Sequence, residues 1–164
     1  MAGLIVSREE LARSLSAERA SGRTVAMANG LFDVLHVGHV RYLEAASREA
    51  DLLIVGVNSD ASARALKGPG RPVLPAEERA EIVAALACVR FVFVFDEPDA
   101  ASSLLLLRPD VHCKGTDYTP ETVPEREVVL GYGGRIAIVG DPKTHASRDL
   151  ILEIARRFRN KAGP

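Results

Sequence analysis

The sequence predicts an α/β fold of the doubly wound class: one domain built on a five-stranded parallel sheet flanked by helices. Three observations carry this expectation. Short apolar runs of strand length recur along the chain, stretches with apolar residues at helical spacing separate them, and turn-forming residues close each run. Strands that alternate with helices pair in parallel, because each right-handed crossover returns the chain to the same end of the sheet.

The elements follow in order. Ser7 with Glu10 three residues later is a capping-box pattern, and Leu11, Leu15 and Ala20 continue it at helical spacing, so residues 1–22 are expected to form a leading helix packed on the domain. Residues 24–28 and 51–57 are apolar runs ending at Asn29-Gly30 and Asn58-Ser59-Asp60, the length of fully buried strands. Between them Val40, Leu43 and Ala46 or Ser47 mark a helix over 37–50. The alternation continues with a proline-opened helix at 76–87, a strand at 90–95, a helix from about 99 to 107 and a strand at 111–113. A helix near 125–130, a strand at 136–139 and a last helix from about 147 to 158 complete a domain of residues 23–160, with 161–164 read as a flexible tail.

Composition narrows the partners. With 164 residues, 47% of them hydrophobic, the chain suits one buried core rather than two domains. Twenty-one Lys plus Arg against 22 Asp plus Glu give a net charge of -1, which offers no global attraction for nucleic acid or an anionic membrane. No run approaches the length of a membrane helix and the start lacks signal-peptide character, so a cytoplasmic protein is expected. Cys88 and Cys113 sit in apolar text and read as small buried hydrophobes, in keeping with a reducing compartment.

In open parallel sheets ligands bind beyond the carboxyl ends of the strands, where strand order reverses. Here that selects residues 29–39, 58–71, 96–99, 114–119 and 140–148. The first of these carries His36-Val37-Gly38-His39 at a helix start. Histidines three apart share a helix face, the unpaired N–H groups of a first turn attract phosphate oxygens, and Gly38 leaves the backbone open to approach. Such fixed donors suit in-line displacement at phosphorus, in which negative charge gathers on equatorial and leaving oxygens. A zinc pair would need a third ligand that the pattern does not supply, so no metal-ligating side chains are assigned.

The run Asn29-Gly30-x-Phe32-Asp33-x-x-His36-x-Gly38-His39-x-x-Tyr42-Leu43 resembles the signature of the cytidylyltransferase-like branch of the HxGH nucleotidyltransferases, which implies a Rossmann-like domain. Further matches at Gly56-Val57-Asn58-Ser59-Asp60, Lys67-Gly68-Pro69-Gly70-Arg71-Pro72, Arg79 and Lys114-Gly115-x-Asp117-Tyr118-Thr119 are similar to adenylyltransferases that act on D-glycero-β-D-manno-heptose 1-phosphate. The resemblance implies ATP and a sugar phosphate as substrates, Mg2+ as cofactor, ADP-heptose and pyrophosphate as products, and a homodimer. By the same resemblance His36 and His39 contact the reacting phosphates, backbone at Leu31 and Phe32 holds phosphate, and Asp33 orders its loop or sits near the metal. Asn29, Gly30, Gly38, Arg79, Gly140, Asp141, Ser147 and Arg148 join the expected nucleotide site, with Lys114 as a catalytic phosphate contact. Asn58, Asp60, Lys67, Arg71 and Asp117 are expected at the acceptor. Where the wider family carries a Ser-Thr-Thr-like run, this chain has Ala146-Ser147-Arg148. Cytidylyl transfer to glycerol 3-phosphate or a similar small phosphate, and a nucleotide-sensing module without turnover, are the alternatives.

Overall fold

A computed structural model describes residues 3–142 and 146–159. The elements run β1 (Leu4–Ile5), α1 (Arg8–Ala20), β2 (Val25–Gly30), α2 (Val37–Ser47), β3 (Leu52–Asn58), α3 (Asp60–Lys67) and α4 (Ala76–Ala84). They continue with β4 (Phe91–Phe95), α5 (Ala101–Leu107), β5 (Val111–Lys114), α6 (Arg126–Gly131), β6 (Arg135–Ile138) and α7 (Ser147–Arg159). All strand pairings are parallel, in the order β1-β4-β3-β2-β5-β6. Among the described residues the sheet therefore has six strands rather than five. The addition is the two-residue β1, exposed on both side chains and paired to β4 at the sheet edge, too short to leave a periodic signal in sequence.

Alternation along β2 shows how the sheet divides its two cores. Ala26 and Ala28 face Leu43, Ala46, Val83 and Ala84 of α2 and α4, whereas Val25 and Met27 face Leu11, Leu15, Leu104, Leu107 and Val129 of α1, α5 and α6. All seven residues of β3 are buried, as expected of a central parallel strand covered on both sides. Fully burying a side chain such as Phe93 contributes roughly 1.5–3 kcal/mol. Gly56 is required by that packing, since a Cβ there would stand 2.9 Å from the Phe93 ring. The leading helix starts on the expected capping box, with Ser7 Oγ accepting from Glu10 N–H and the Glu10 carboxylate accepting from Ser7 N–H.

Chain order moves outward from β2 through β3 to β4, then crosses to β5 and β6 on the other side. Strand order thus reverses between β2 and β5, where the chain leaves neighbouring strand ends for helices on opposite faces and a crevice opens between them. Asn29 and Lys114, at the ends of β2 and β5, meet across it, with Lys114 Nζ donating to Asn29 Oδ1 at 3.1 Å. Among the described residues no helix is long and apolar enough to cross a membrane. Both cysteines are free thiols, Cys113 buried and Cys88 half-buried.

Candidate functional site

Two adjoining clefts open over this switch point, of about 930 and 470 Å³. They share the wall made by Leu31, Phe32, His39, Tyr42, Leu66, Lys67 and Gly115. The larger is lined by Asp33, His36, Gly38, Arg71, Asp117, Gly140, Asp141, Ser147 and Arg148 as well. The smaller adds Asn29, Gly30, Asn58, Lys114, Tyr118 and Glu125.

The histidine pair is held by the backbone it caps. His36 is the N-cap of α2 in an extended conformation, and its Nδ1 accepts from Gly38 N–H at 3.1 Å. His39 Nδ1 accepts from His36 N–H at 3.3 Å. The rings stack with centroids 3.9 Å apart, and His39 meets the edge of the buried Phe32 at 5.4 Å. An Nδ1 that accepts fixes the proton of a neutral imidazole on Nε2. Each ring therefore has a donor on the side away from the backbone, and both rings line the cleft. Burial, reinforced by the neighbouring His36, lowers the His39 pKa from 6.5 to about 4, so this imidazole is neutral at pH 7.

The loop that presents the pair is braced from below. Phe32 and Val34 have φ of 50° and 56°, left-handed conformations that cost a residue with a side chain roughly 1–3 kcal/mol each. Asp33 sits between them, almost fully buried, and accepts from Val73 N–H, Leu74 N–H and Arg71 Nε, the last at 2.6 Å. Burial pushes the Asp33 carboxyl pKa up, but these donors together outweigh it and hold the group below its ordinary value. Asp33 thus orders the loop, and its partner Arg71 keeps an 18% exposed side chain at the cleft wall. Arg79 holds the other side of the loop. Its guanidinium is fully buried and donates to Leu31 O at 2.6 Å, to Leu74 O at 2.9 Å and to Asp60 Oδ1 at 2.8 Å.

Arg79, expected to touch nucleotide, and Asp60, expected to touch acceptor, line neither cleft and pair with each other behind the loop. Both stand in the first turns of α3 and α4, from where the Arg79 guanidinium reaches Leu31 O, Leu74 O and Asp60. Asn29, Gly30 and Lys114 stand in the smaller cleft, not the larger. Asn58 joins them, its Nδ2 donating to Ser62 Oγ at 2.9 Å, and Lys67 faces both clefts from the end of α3. Gly140 adopts φ of 95° beside the Tyr42 backbone, and Asp141 pairs with Arg41 at 2.9 Å on the rim. Ser147 and Arg148 line the larger cleft from the start of α7, while Lys143, Thr144 and His145 of that loop and the 161–164 tail lie outside the described residues.

A model of the cytidylyltransferase-like family matches residues 27–151, an interval that holds both clefts and every brace just described. The chain belongs to the cytidylyltransferase-like family. This cytidylyltransferase-like chain is 48% identical over 151 residues to the bifunctional protein HldE of Syntrophotalea carbinolica, covering 92% of this chain and 31% of that protein. It is 50% identical over 150 residues to the HldE of Geotalea uraniireducens, again covering 92% of this chain and 31% of the relative. The chain therefore spans under a third of the length of these relatives. Among solved structures, that of the lipopolysaccharide core biosynthesis protein from Thermoplasma volcanium GSS1 superposes with a TM-score of 0.65 at 26% identity, over 74% of this chain and 100% of that one.

Sequence reading left several residues of this cytidylyltransferase-like site unassigned. Arg41, Leu66 and Thr116 line the larger cleft, and Tyr118, Asp99 and Glu125 the smaller. Tyr42 belongs to the HxGH signature run, and its hydroxyl donates to Cys113 O at 2.8 Å, which ties α2 to β5. Glu125 had no signal at all. Its carboxylate meets Lys114 Nζ at 3.2–3.3 Å, with Oε1 also accepting from Ala100 N–H at 3.2 Å. Desolvation lowers the Lys114 pKa, and Glu125 opposes that shift.

The buried imidazoles make stability depend on pH in a defined direction. His39 is lowered to about 4 and the fully buried His112, by desolvation and then by Lys114, to about 3, from 6.5. Between those values and 6.5 the unfolded chain binds more protons than the folded one, so stability is complete above pH 6.5 and falls as pH drops below it. The slope reaches about 1.4 kcal/mol per pH unit for each histidine. Urea unfolding from pH 7.5 to 4.5 should show this decline, with a shallower slope for His112→Asn. A curve flat across that range would contradict the burial of these rings.

Proposed function

We propose that this chain transfers AMP from ATP to a sugar 1-phosphate, D-glycero-β-D-manno-heptose 1-phosphate, giving ADP-heptose and pyrophosphate. The observation that carries the reading is the pair of imidazoles with Nδ1 satisfied by backbone and Nε2–H directed away from it, both lining the larger cleft and His39 also standing in the wall shared with the smaller. Its support is the HxGH signature, the match to HldE proteins described as bifunctional, and the likeness to a protein described as acting in lipopolysaccharide core biosynthesis.

In this reading the triphosphate lies along the larger cleft and the acceptor enters the smaller. A phosphate oxygen of the acceptor attacks the α-phosphorus in line, the bond to the bridging oxygen breaks, and pyrophosphate leaves with that electron pair. No enzyme side chain forms a covalent bond. His36 and His39 donate Nε2–H bonds to phosphate oxygens as charge grows there, and Lys67, which faces both clefts, offsets the charge of the two reactants.

Mg2+ belongs to the same reading, since it rides on triphosphate oxygens while keeping several waters. Among the described residues no three His, Cys, Asp or Glu side chains gather as a metal cage. The carboxylates of Asp117 and Asp141 line the larger cleft and would hold such an ion, Asp141 by leaving its exposed pair with Arg41, while the Asp33 carboxylate accepts from Arg71, Val73 and Leu74. When bound, the ion supplies neutralisation of the phosphate charge. A homodimer is also part of this reading; Leu150 and Ile154 are exposed apolar residues four apart on α7, and sedimentation velocity decides it.

The deciding experiment is pyrophosphate release from ATP or CTP across a panel of sugar and polyol phosphates. ATP with a heptose 1-phosphate should give the highest kcat/KM. Preference for CTP with glycerol 3-phosphate would replace the substrate assignment, and no release with any pair would replace the enzyme by a nucleotide sensor.

A further inference from the structure

The smaller cleft contains a buried carboxylate with unused hydrogen-bonding capacity. Glu125 is 3% exposed and lies in the cleft wall. Its Oε1 accepts from Ala100 N–H and Lys114 Nζ, but Oε2, although 3.2 Å from Lys114 Nζ, accepts no hydrogen bond of acceptable geometry. His112 Nε2 is 3.8 Å from it, beyond bonding reach. A buried acceptor left without a hydrogen bond is unfavourable, so a ligand that brings a donor gains affinity.

The surroundings select the donor. A cationic ligand group would meet Lys114 Nζ within a few ångströms, and an anionic one would meet the Glu125 carboxylate itself. A neutral hydroxyl avoids both. Close by, the Tyr118 ring is 37% exposed, lies under Lys114 Nζ at 5.5 Å and lines the same cleft with Pro98 and Pro124, a flat apolar wall of the kind that packs against the C–H face of a sugar. From these observations we infer that Glu125 is a specificity-determining residue that accepts a hydrogen bond from a ring or chain hydroxyl of the acceptor, so that the smaller cleft takes a polyhydroxylated acceptor rather than a simple alcohol phosphate.

This rests on the assignment of the smaller cleft to the acceptor, and the experiment separates the two. Calorimetric titration of a sugar 1-phosphate into the protein with a non-hydrolysable ATP analogue reads acceptor binding without turnover. Glu125→Gln should weaken acceptor binding about ten- to hundredfold, the range for losing a hydrogen bond to a charged group, while leaving the analogue's own affinity within about twofold. A series of singly deoxygenated sugar phosphates keeps the test independent of how well that variant folds. On the unaltered protein one deoxy position should cost about tenfold or more, and on Glu125→Gln the same deletion should cost little further. Equal affinity for every deoxy analogue, an equal penalty on both proteins, or no binding of any sugar phosphate would overturn the inference. Binding without pyrophosphate release from ATP would instead leave the cleft assignment standing and remove the reaction.

Discussion

His39→Ala should lower kcat for AMP transfer by about 10²- to 10³-fold while changing the KM for ATP only a few-fold, and His36→Ala should do the same. The asymmetry follows from when the contacts matter. A neutral Nε2–H bonds a ground-state phosphate oxygen weakly, but the bond strengthens as displacement concentrates charge on equatorial and leaving oxygens, so most of its worth is realised in the transition state. His39 is neutral at pH 7, which keeps it a donor without adding fixed positive charge to the empty cleft. Steady-state pyrophosphate release, with kcat and KM resolved for each substrate, checks the prediction. Loss confined to KM would mean that the rings merely hold the nucleotide.

Arg79→Ala should be the most damaging substitution to the fold around the site. Its side chain is fully buried and donates to two backbone carbonyls and one carboxylate, and removing it strands Leu31 O and Leu74 O without their donor. An acceptor stranded in this way costs roughly 1–3 kcal/mol, and two of them lower the Tm of a chain of this size by on the order of 10 °C. Arg79→Lys should recover little, because a single ammonium cannot serve three separated acceptors. The exposed pair Arg41–Asp141 supplies a control: Arg41→Ala should shift stability by less than about 1 kcal/mol. Thermal unfolding followed by circular dichroism measures all three variants. Near-equal melting of Arg79→Ala and the unaltered chain would show that the loop does not depend on this brace.

Arg79 and Glu125 mark the boundary of what the sequence made legible. The sheet was readable because buried parallel strands such as 52–58 are continuous apolar runs, and the helices because Leu11, Leu15 and Leu43 repeat at helical spacing. The histidine pair was readable because its whole apparatus, cap, glycine and rings, is local to four residues. Arg79 was assigned to nucleotide because its charge was visible and its partner was not: Leu31 is 48 residues away, and only tertiary packing shows that the guanidinium points down into the loop. Glu125 fails for the same reason. It stands at the start of a six-residue helix with nothing in its neighbourhood to suggest that β5 and the start of α5 converge on its carboxylate. The edge strand β1 escaped because two exposed residues carry no period, its existence depending on backbone pairing with β4.

Nitrogen chemical shifts of labelled histidine side chains test the orientation of the pair most directly, with and without a non-hydrolysable ATP analogue. Both His36 and His39 should be protonated at Nε2 with Nδ1 unprotonated at pH 7, and the analogue should move their Nε2 signals while leaving the fully buried His112 unchanged. Protons on Nδ1, or Nε2 signals of His36 and His39 that ignore the nucleotide, would mean that these rings do not face the phosphates.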